Sequence, residues 1–377
     1  MASEHQFLYG AAALSIAVLY ILCRALFDPL RTIPGPFITR FTRGWYFLKL
    51  WNEDFEKTNI DIHRRYGKVV RIAPNEYSID DPSAVKTIYG LGSQFPKAEW
   101  YWGFANPFQI FETIFTTRDV SYHNSMRRAA QNHYQMSTLV GYEGYVDDCG
   151  QLLTMRLEEI SEAGISANLG EWLQKYAFDV IGEITFGNRF GFLDSGEDIG
   201  GLIGALEKRR VFSSLSGIYP FWHKLACHIM SKIPGSGAAG FLYLNRFGSE
   251  KIEQRKAEVK ANPNLEVGPV PQVDRFLKAH MERPDSYPTH AIYLGCMANI
   301  LAGSDTTGIS LAAIVNNLCR HPESLQKLRA EIDNAAAEGR LSDPVVFKET
   351  QSMLYLNAVI KGTLQISYIL VESLRIF

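Results

Sequence analysis

The run from Ala291 to Cys319, AIYLGCMANILAGSDTTGISLAAIVNNLC, carries one charged residue, Asp305. Its pattern predicts a single helix that is apolar on nearly every side. At ~1.5 Å per residue such a helix would reach about 44 Å, enough to cross a whole domain. A helix apolar all round belongs inside one, so this segment dictates the fold: other elements must cover it.

The middle of the run breaks the pattern. Ala302-Gly303-Ser304-Asp305-Thr306-Thr307 puts two small residues, a carboxylate and three hydroxyls into consecutive positions. Small residues let a bulky group lie against the backbone. Ser and Thr hydroxyls bond back to carbonyls one turn earlier, loosening and bending the helix. A buried carboxylate beside a hydroxyl can pass protons from solvent to whatever sits over the bend. Two plainer readings stand beside this one. A helix-packing notch with an incidental Asp is weakened by the cost of burying an unpaired carboxylate. A membrane span is weakened by the same central Asp.

AGSDTT, followed by NNLCRHPESLQKLRAEID, resembles the oxygen-activating helix and the next helix of the cytochrome P450 family, the haem-thiolate monooxygenases. The resemblance implies haem b as cofactor, NADPH-cytochrome P450 reductase as electron donor and a small hydrophobic substrate. It implies that Asp305 and Thr306 deliver protons, and that Ala302 and Gly303 make room for dioxygen and the haem face. The sequence as a whole is similar to filamentous-fungal members of the pisatin-demethylase type, which implies secondary metabolism.

With 46% apolar residues, 377 positions suffice for a substantial core. A formal net charge of −2 with scattered Lys and Arg argues against a nucleic-acid partner. Cys23, Cys149, Cys227, Cys296 and Cys319 lie far apart with no metal-ligand spacing and read as reduced thiols. The first 27 residues are expected to anchor the chain in a membrane, because Phe7 to Cys23 is free of charge and the apolar run continues to Phe27. A cleaved signal peptide is the alternative, and the segment lacks a basic start and a clear cleavage site. Arg24, Arg31, Arg40 and Arg43 follow the span, which places the main domain on the cytosolic side. In the resembled family this corresponds to single-pass anchoring in the endoplasmic reticulum.

Ile33-Pro34-Gly35-Pro36 reads as a stiff hinge that separates the span from the globular part and orients it. Phe55 to Tyr66 has helical spacing, Lys68 to Ile72 and Glu76 to Ile79 read as a hairpin around Pro74-Asn75, and Asp81-Pro82 opens another helix. The aromatics between Phe95 and Phe115 suit either a core flap or the wall of an apolar pocket, and the resemblance implies the latter. His123-x-x-x-Arg127-Arg128 is in isolation a solvated basic turn. The resemblance implies that His123 and Arg127 bind a haem propionate, a task for which the planar Arg fork is suited. Trp172 to Phe192 carries an apolar helical face ending at Gly187, and Asn262 to Pro271 reads as a surface linker. The expected fold class is mainly α with a small β-sheet, the cytochrome P450 fold in incomplete form, plus an N-terminal transmembrane helix. Its boundaries are an anchor over 1–27 and one partial domain over 28–377.

The chain departs from the family in two places. The family runs from the equivalent of Tyr355–Lys361 directly into Glu-x-x-Arg, a buried structural ion pair; here Gly362 and Gln365 stand in those positions. Glu372 and Arg375 supply the same chemistry ten residues later, about 15 Å further along a continuous helix and turned by roughly 80°. Residues 362–371 therefore read as an insertion. The family's iron ligand is a cysteine in an F-x-x-G-x-x-x-C-x-G loop beyond that pair. None of the five cysteines has Phe seven and Gly four residues before it, so no metal ligand is assigned. The family activity is NADPH-dependent monooxygenation. The chain as written is expected to be inactive, and the alternative reading is a truncated, membrane-tethered non-enzyme.

Overall fold

A computed structural model describes residues 2–90, 92–93, 95–261 and 269–366. Its contacts gather into two units, residues 1–104 with 212–223, and residues 105–211 with the described residues from 224 onward. Among the described residues the elements are helical except for one two-stranded sheet, as expected.

The first unit begins with α1 (Ala2–Leu26), then α2 (Gly44–Trp51) and α3 (Phe55–Tyr66). Strands β1 (Val69–Ala73) and β2 (Glu76–Ile79) pair antiparallel with Val70 opposite Ser78 and Arg71 opposite Tyr77. Asn75 takes positive φ in their turn, a conformation Asn tolerates. In α4 (Pro82–Tyr89), Asp81 caps through Ser83 N at 3.0 Å with proline at the first position, as the sequence requires. Tyr46, Phe55, Ile62, Val70 and Ile72 form the core, joined by Ile218. The Pro34–Pro36 segment is tied to β1. The amide of Arg71 donates to Pro34 O at 2.8 Å, and a Cβ at Gly35 would lie 2.4 Å from Arg71 O, so only glycine allows this approach.

The second unit holds α5 (Val120–Ala130), α6 (Glu143–Glu162) and α7 (Leu169–Phe186). α8 (Leu202–Ser216) and α9 (Pro220–Met230) follow, their residues 212–216 and 220–223 belonging to the first unit, then α10 (Gly237–Ala261), α11 (Gln272–Glu282), α12 (Thr289–Arg320), α13 (Pro322–Ala337) and α14 (Leu354–Ile366). The central apolar run is one helix of 32 residues, α12. Ala291, Ile292, Cys296, Met297 and Ile300 pack it into a core with Phe178, Phe186, Val273 and Phe276. α1 and α12 are both long and apolar enough to cross a membrane. Their surroundings separate them: α1 is exposed along its described side chains, whereas the first half of α12 is core. α12 is not covered on all sides, however. Ala298, Ala302, Thr306, Thr307 and Ile309 are exposed. Gly187 ends α7 in the left-handed conformation at φ 78°. Most of the expected linker, 262–268, lies outside the described residues.

Candidate functional site

α7 and α12 approach closely because α12 presents glycines to α7. A Cβ at Gly308 would lie 2.8 Å from Gln174 Cα, and one at Gly303 3.0 Å from Ile181 Cγ1. The space left by Gly303, expected to admit a ligand, is taken by Ile181. The open small residues are instead Ala298, Ala302 and Thr306, spaced four apart and so on one face of the helix. The hydroxyls bond back as expected: Ser304 Oγ donates to Ile300 O at 3.0 Å, Thr306 Oγ1 to Ala302 O at 2.7 Å and Ser310 Oγ to Thr306 O at 2.7 Å. Asp305 is only half-buried and is not unpaired, because Gln174 Nε2 on α7 donates to its Oδ1 at 2.7 Å. The structure thus joins Ala302, Asp305 and Thr306 with a residue that sequence reading missed. The signal for Gln174 was a lone amide among Leu173, Ala177, Phe178 and Ile181 on the packing side of α7.

His123 and Arg127 stand one turn apart on α5, which Asp119 caps through Ser121 N and Tyr122 N. Met126 and Ala129 of the same helix pack against the core that contains α12. Arg127 is exposed and forms no side-chain ion pair among the described residues, while His123 Nδ1 lies 3.4 Å from Asn124 Oδ1. Glu372 and Arg375 lie outside the described residues, and α14 runs as helix through Gly362 and Gln365.

A buried polar network underlies the site, again unread in the sequence. Asn299 Nδ2 donates to Thr185 Oγ1 at 3.1 Å and Gln272 Oε1 at 2.5 Å, and Tyr134 OH donates to Asn299 Oδ1 at 2.9 Å. Burial raises the Tyr134 phenol, which stays a donor. Cys149, Cys227 and Cys296 are buried, and burial pushes each thiol up, Cys227 to about 12, so that they remain protonated at neutral pH. Cys23 and Cys319 are exposed. The aromatic stretch divides. Trp100 and Tyr101 are buried in the first unit, whereas in the second Phe108, Phe111 and Phe115 keep exposed surface and Phe111 stacks on His290 at 3.8 Å.

The exposed small residues of α12 leave a face that a flat apolar macrocycle could cover, and Arg127, without an ion pair among the described residues, offers an exposed guanidinium of the kind that binds a carboxylate. The cytochrome P450 family model matches residues 35–375. A cytochrome P450 monooxygenase of Aspergillus terreus (strain NIH 2624 / FGSC A1156) is 36% identical over 341 residues, 87% of this chain and 68% of the relative. A pisatin demethylase of Fusarium vanettenii is 33% identical over 353 residues, 93% of this chain and 67% of the relative. The chain spans about two thirds of the length of these relatives.

Proposed function

Since the chain belongs to the cytochrome P450 family, we propose that it serves monooxygenation of a small hydrophobic substrate, with the residues from 28 onward forming the family domain. When bound, haem b supplies the activation of dioxygen. Ala298 and Ala302 leave the face of α12 open for it, and His123 and Arg127 are the donors that would hold its carboxylates. Asp305 collects protons from the solvent side and Thr306 passes them on. Gln174 fixes the carboxylate that does the collecting. NADPH-cytochrome P450 reductase is the proposed electron donor, and α1 the proposed single-pass anchor in the endoplasmic reticulum with the main domain cytosolic. The fungal relatives motivate a place in secondary metabolism. The observation that carries this reading is the open stripe Ala298-Ala302-Thr306 beside an Asp305 held by Gln174.

A second reading, a membrane-tethered protein without catalysis, is favoured by Gly362 and Gln365, which occupy the helix where the family has its Glu-x-x-Arg pair. One measurement separates the two. The reduced carbon-monoxide difference spectrum of residues 1–377 should show a thiolate-type Soret band if the first reading holds. Its absence, with haem supplied during expression, sinks catalysis and leaves the second.

A further inference from the structure

Arg71 is only 2% exposed, and its burial needs an explanation, because a guanidinium so far from water is costly unless charge and hydrogen bonds compensate it. Its partners come from the segment that leaves α1. Asp28 Oδ2 lies 2.7 Å from Nη2, and the same nitrogen donates to Leu30 O at 2.6 Å. The backbone of Arg71 holds the next stretch: its amide donates to Pro34 O at 2.8 Å, and its carbonyl accepts from Thr39 Oγ1 at 3.3 Å. The Tyr77 ring covers the guanidinium at 4.9 Å. Burial pushes the Asp28 carboxyl up, and the Leu30 amide and Arg71 outweigh that to leave it below its ordinary value. At the helix end, Arg31 Nη1 donates to Leu26 O at 2.9 Å, so the turn between α1 and Asp28 is also tied.

The chain length makes this tie tight. Asp28 is two residues past the end of α1, a reach of at most about 7 Å at ~3.5 Å per residue. A bilayer's headgroup layer is about 5–8 Å thick on each side. Whatever is fixed to Asp28 therefore stays at the membrane surface. Phe27, Leu30 and Phe37 are 83%, 47% and 74% exposed in the same stretch, and Phe37 lies between Pro34 and Thr39, both bonded to Arg71. Arg24 and Arg31 flank it with positive charge.

Resting on the reading of α1 as a membrane anchor, we propose that Asp28 and Arg71 form a clamp that fixes the first unit against an anionic lipid surface, with Phe27, Leu30 and Phe37 immersed among the headgroups. Arg71 is in this sense a positioning residue: it removes the slack a proline-rich connection would otherwise leave.

The test uses the full chain carrying a fluorescent label at Phe37→Cys, with Cys23→Ser and Cys319→Ser, in vesicles of phosphatidylcholine and phosphatidylserine that include lipids brominated near the carbonyl end. Quenching is expected in the parent, lost when four Gly-Ser residues are inserted after Phe27, reduced in Asp28→Asn and restored in Asp28→Glu. Circular dichroism of each variant shows whether it is folded, and the insertion leaves the clamp residues intact should Asp28→Asn misfold. Release of the protein by alkaline carbonate sinks the anchor reading. Retention in the membrane with quenching unchanged in both variants overturns the clamp. Shielding of the label in detergent as well as in vesicles would assign this surface to protein contact and overturn the lipid assignment.

Discussion

The Gln174 amide reaches across from α7 to the Asp305 carboxylate on α12 at 2.7 Å, one turn above the point where Gly308 brings the two helices together. The bond and the close approach depend on each other. Without Gly308 the backbone at Gln174 could not come near enough, and without Gln174 a half-buried carboxylate would face the helix interface alone.

Replacing Gln174 by Leu keeps the packing and removes the donor. A hydrogen bond to a charged group is worth about 1.5–3 kcal/mol. If that stabilisation is felt in proton delivery, kcat should fall roughly ten- to a hundredfold, with an altered solvent isotope effect. An unchanged kcat in a haem-loaded preparation would reduce Gln174 to a packing residue.

Gly308→Ala and Gly303→Ala should separate in thermal unfolding. The new Cβ at 308 meets the Cα of Gln174 at 2.8 Å, where only backbone can move, whereas at 303 it meets the Ile181 side chain at 3.0 Å, which can change rotamer. Overpacking costs about 1–3 kcal/mol. The 308 variant should lie at the upper end and the 303 variant at the lower; the reverse order would mean that the helices do not meet as described.

His133 gives the second unit a pH dependence. Its ring packs against Phe276 at 4.9 Å and Tyr287 at 5.7 Å, and its buried Nε2 has no hydrogen-bond partner among the described residues. Burial first, then Arg275 and Arg283, hold its pKa below the usual 6.5. The folded state therefore prefers neutral imidazole. Its contribution is intact above 6.5 and is lost as pH falls from there through the lowered folded value. His290, also lowered by burial, adds to the same slope. The midpoint of thermal unfolding should drop between pH 7.5 and pH 5, and His133→Gln should flatten part of that drop. Equal slopes in parent and variant would exclude His133 as a source.

What could be read from the sequence were features carried by neighbours along the chain. The Asp81-Pro82 start, the Gly187 stop and the length of α12 follow from capping chemistry and periodicity, which act within a turn or two. The hydroxyl back-bonds in α12 followed in the same way. The partners of Asp305, Asn299 and Arg71 could not be read, because Gln174, Tyr134 and Asp28 are 131, 165 and 43 residues away and their pairing depends on packing. Which side of α12 stands open could not be read for a related reason. Ala298 and Ala302 count as apolar in any periodicity, whichever side of the helix they stand on.

Glu331 links the HPESLQKLRAEI segment to the helix that follows it. Its Oε1 accepts from Tyr355 N at 2.8 Å and its Oε2 from Leu356 N at 2.9 Å, two of the amides that open α14 and have no partner within that helix. A carboxylate there also faces the positive end of the helix dipole. Glu331→Gln keeps one acceptor, loses the charge and the second acceptor, and should cost about 1 kcal/mol in chemical unfolding, as other helix-start caps do. Glu331→Ala orphans both amides and should cost about twice as much. Because α14 carries Gly362 and Gln365, loosening its start should also speed amide exchange across Leu354–Ile366. If the Ala variant is no less stable than the Gln variant, solvent satisfies those amides as well as Glu331 does, and the segment owes its place to something other than this cap.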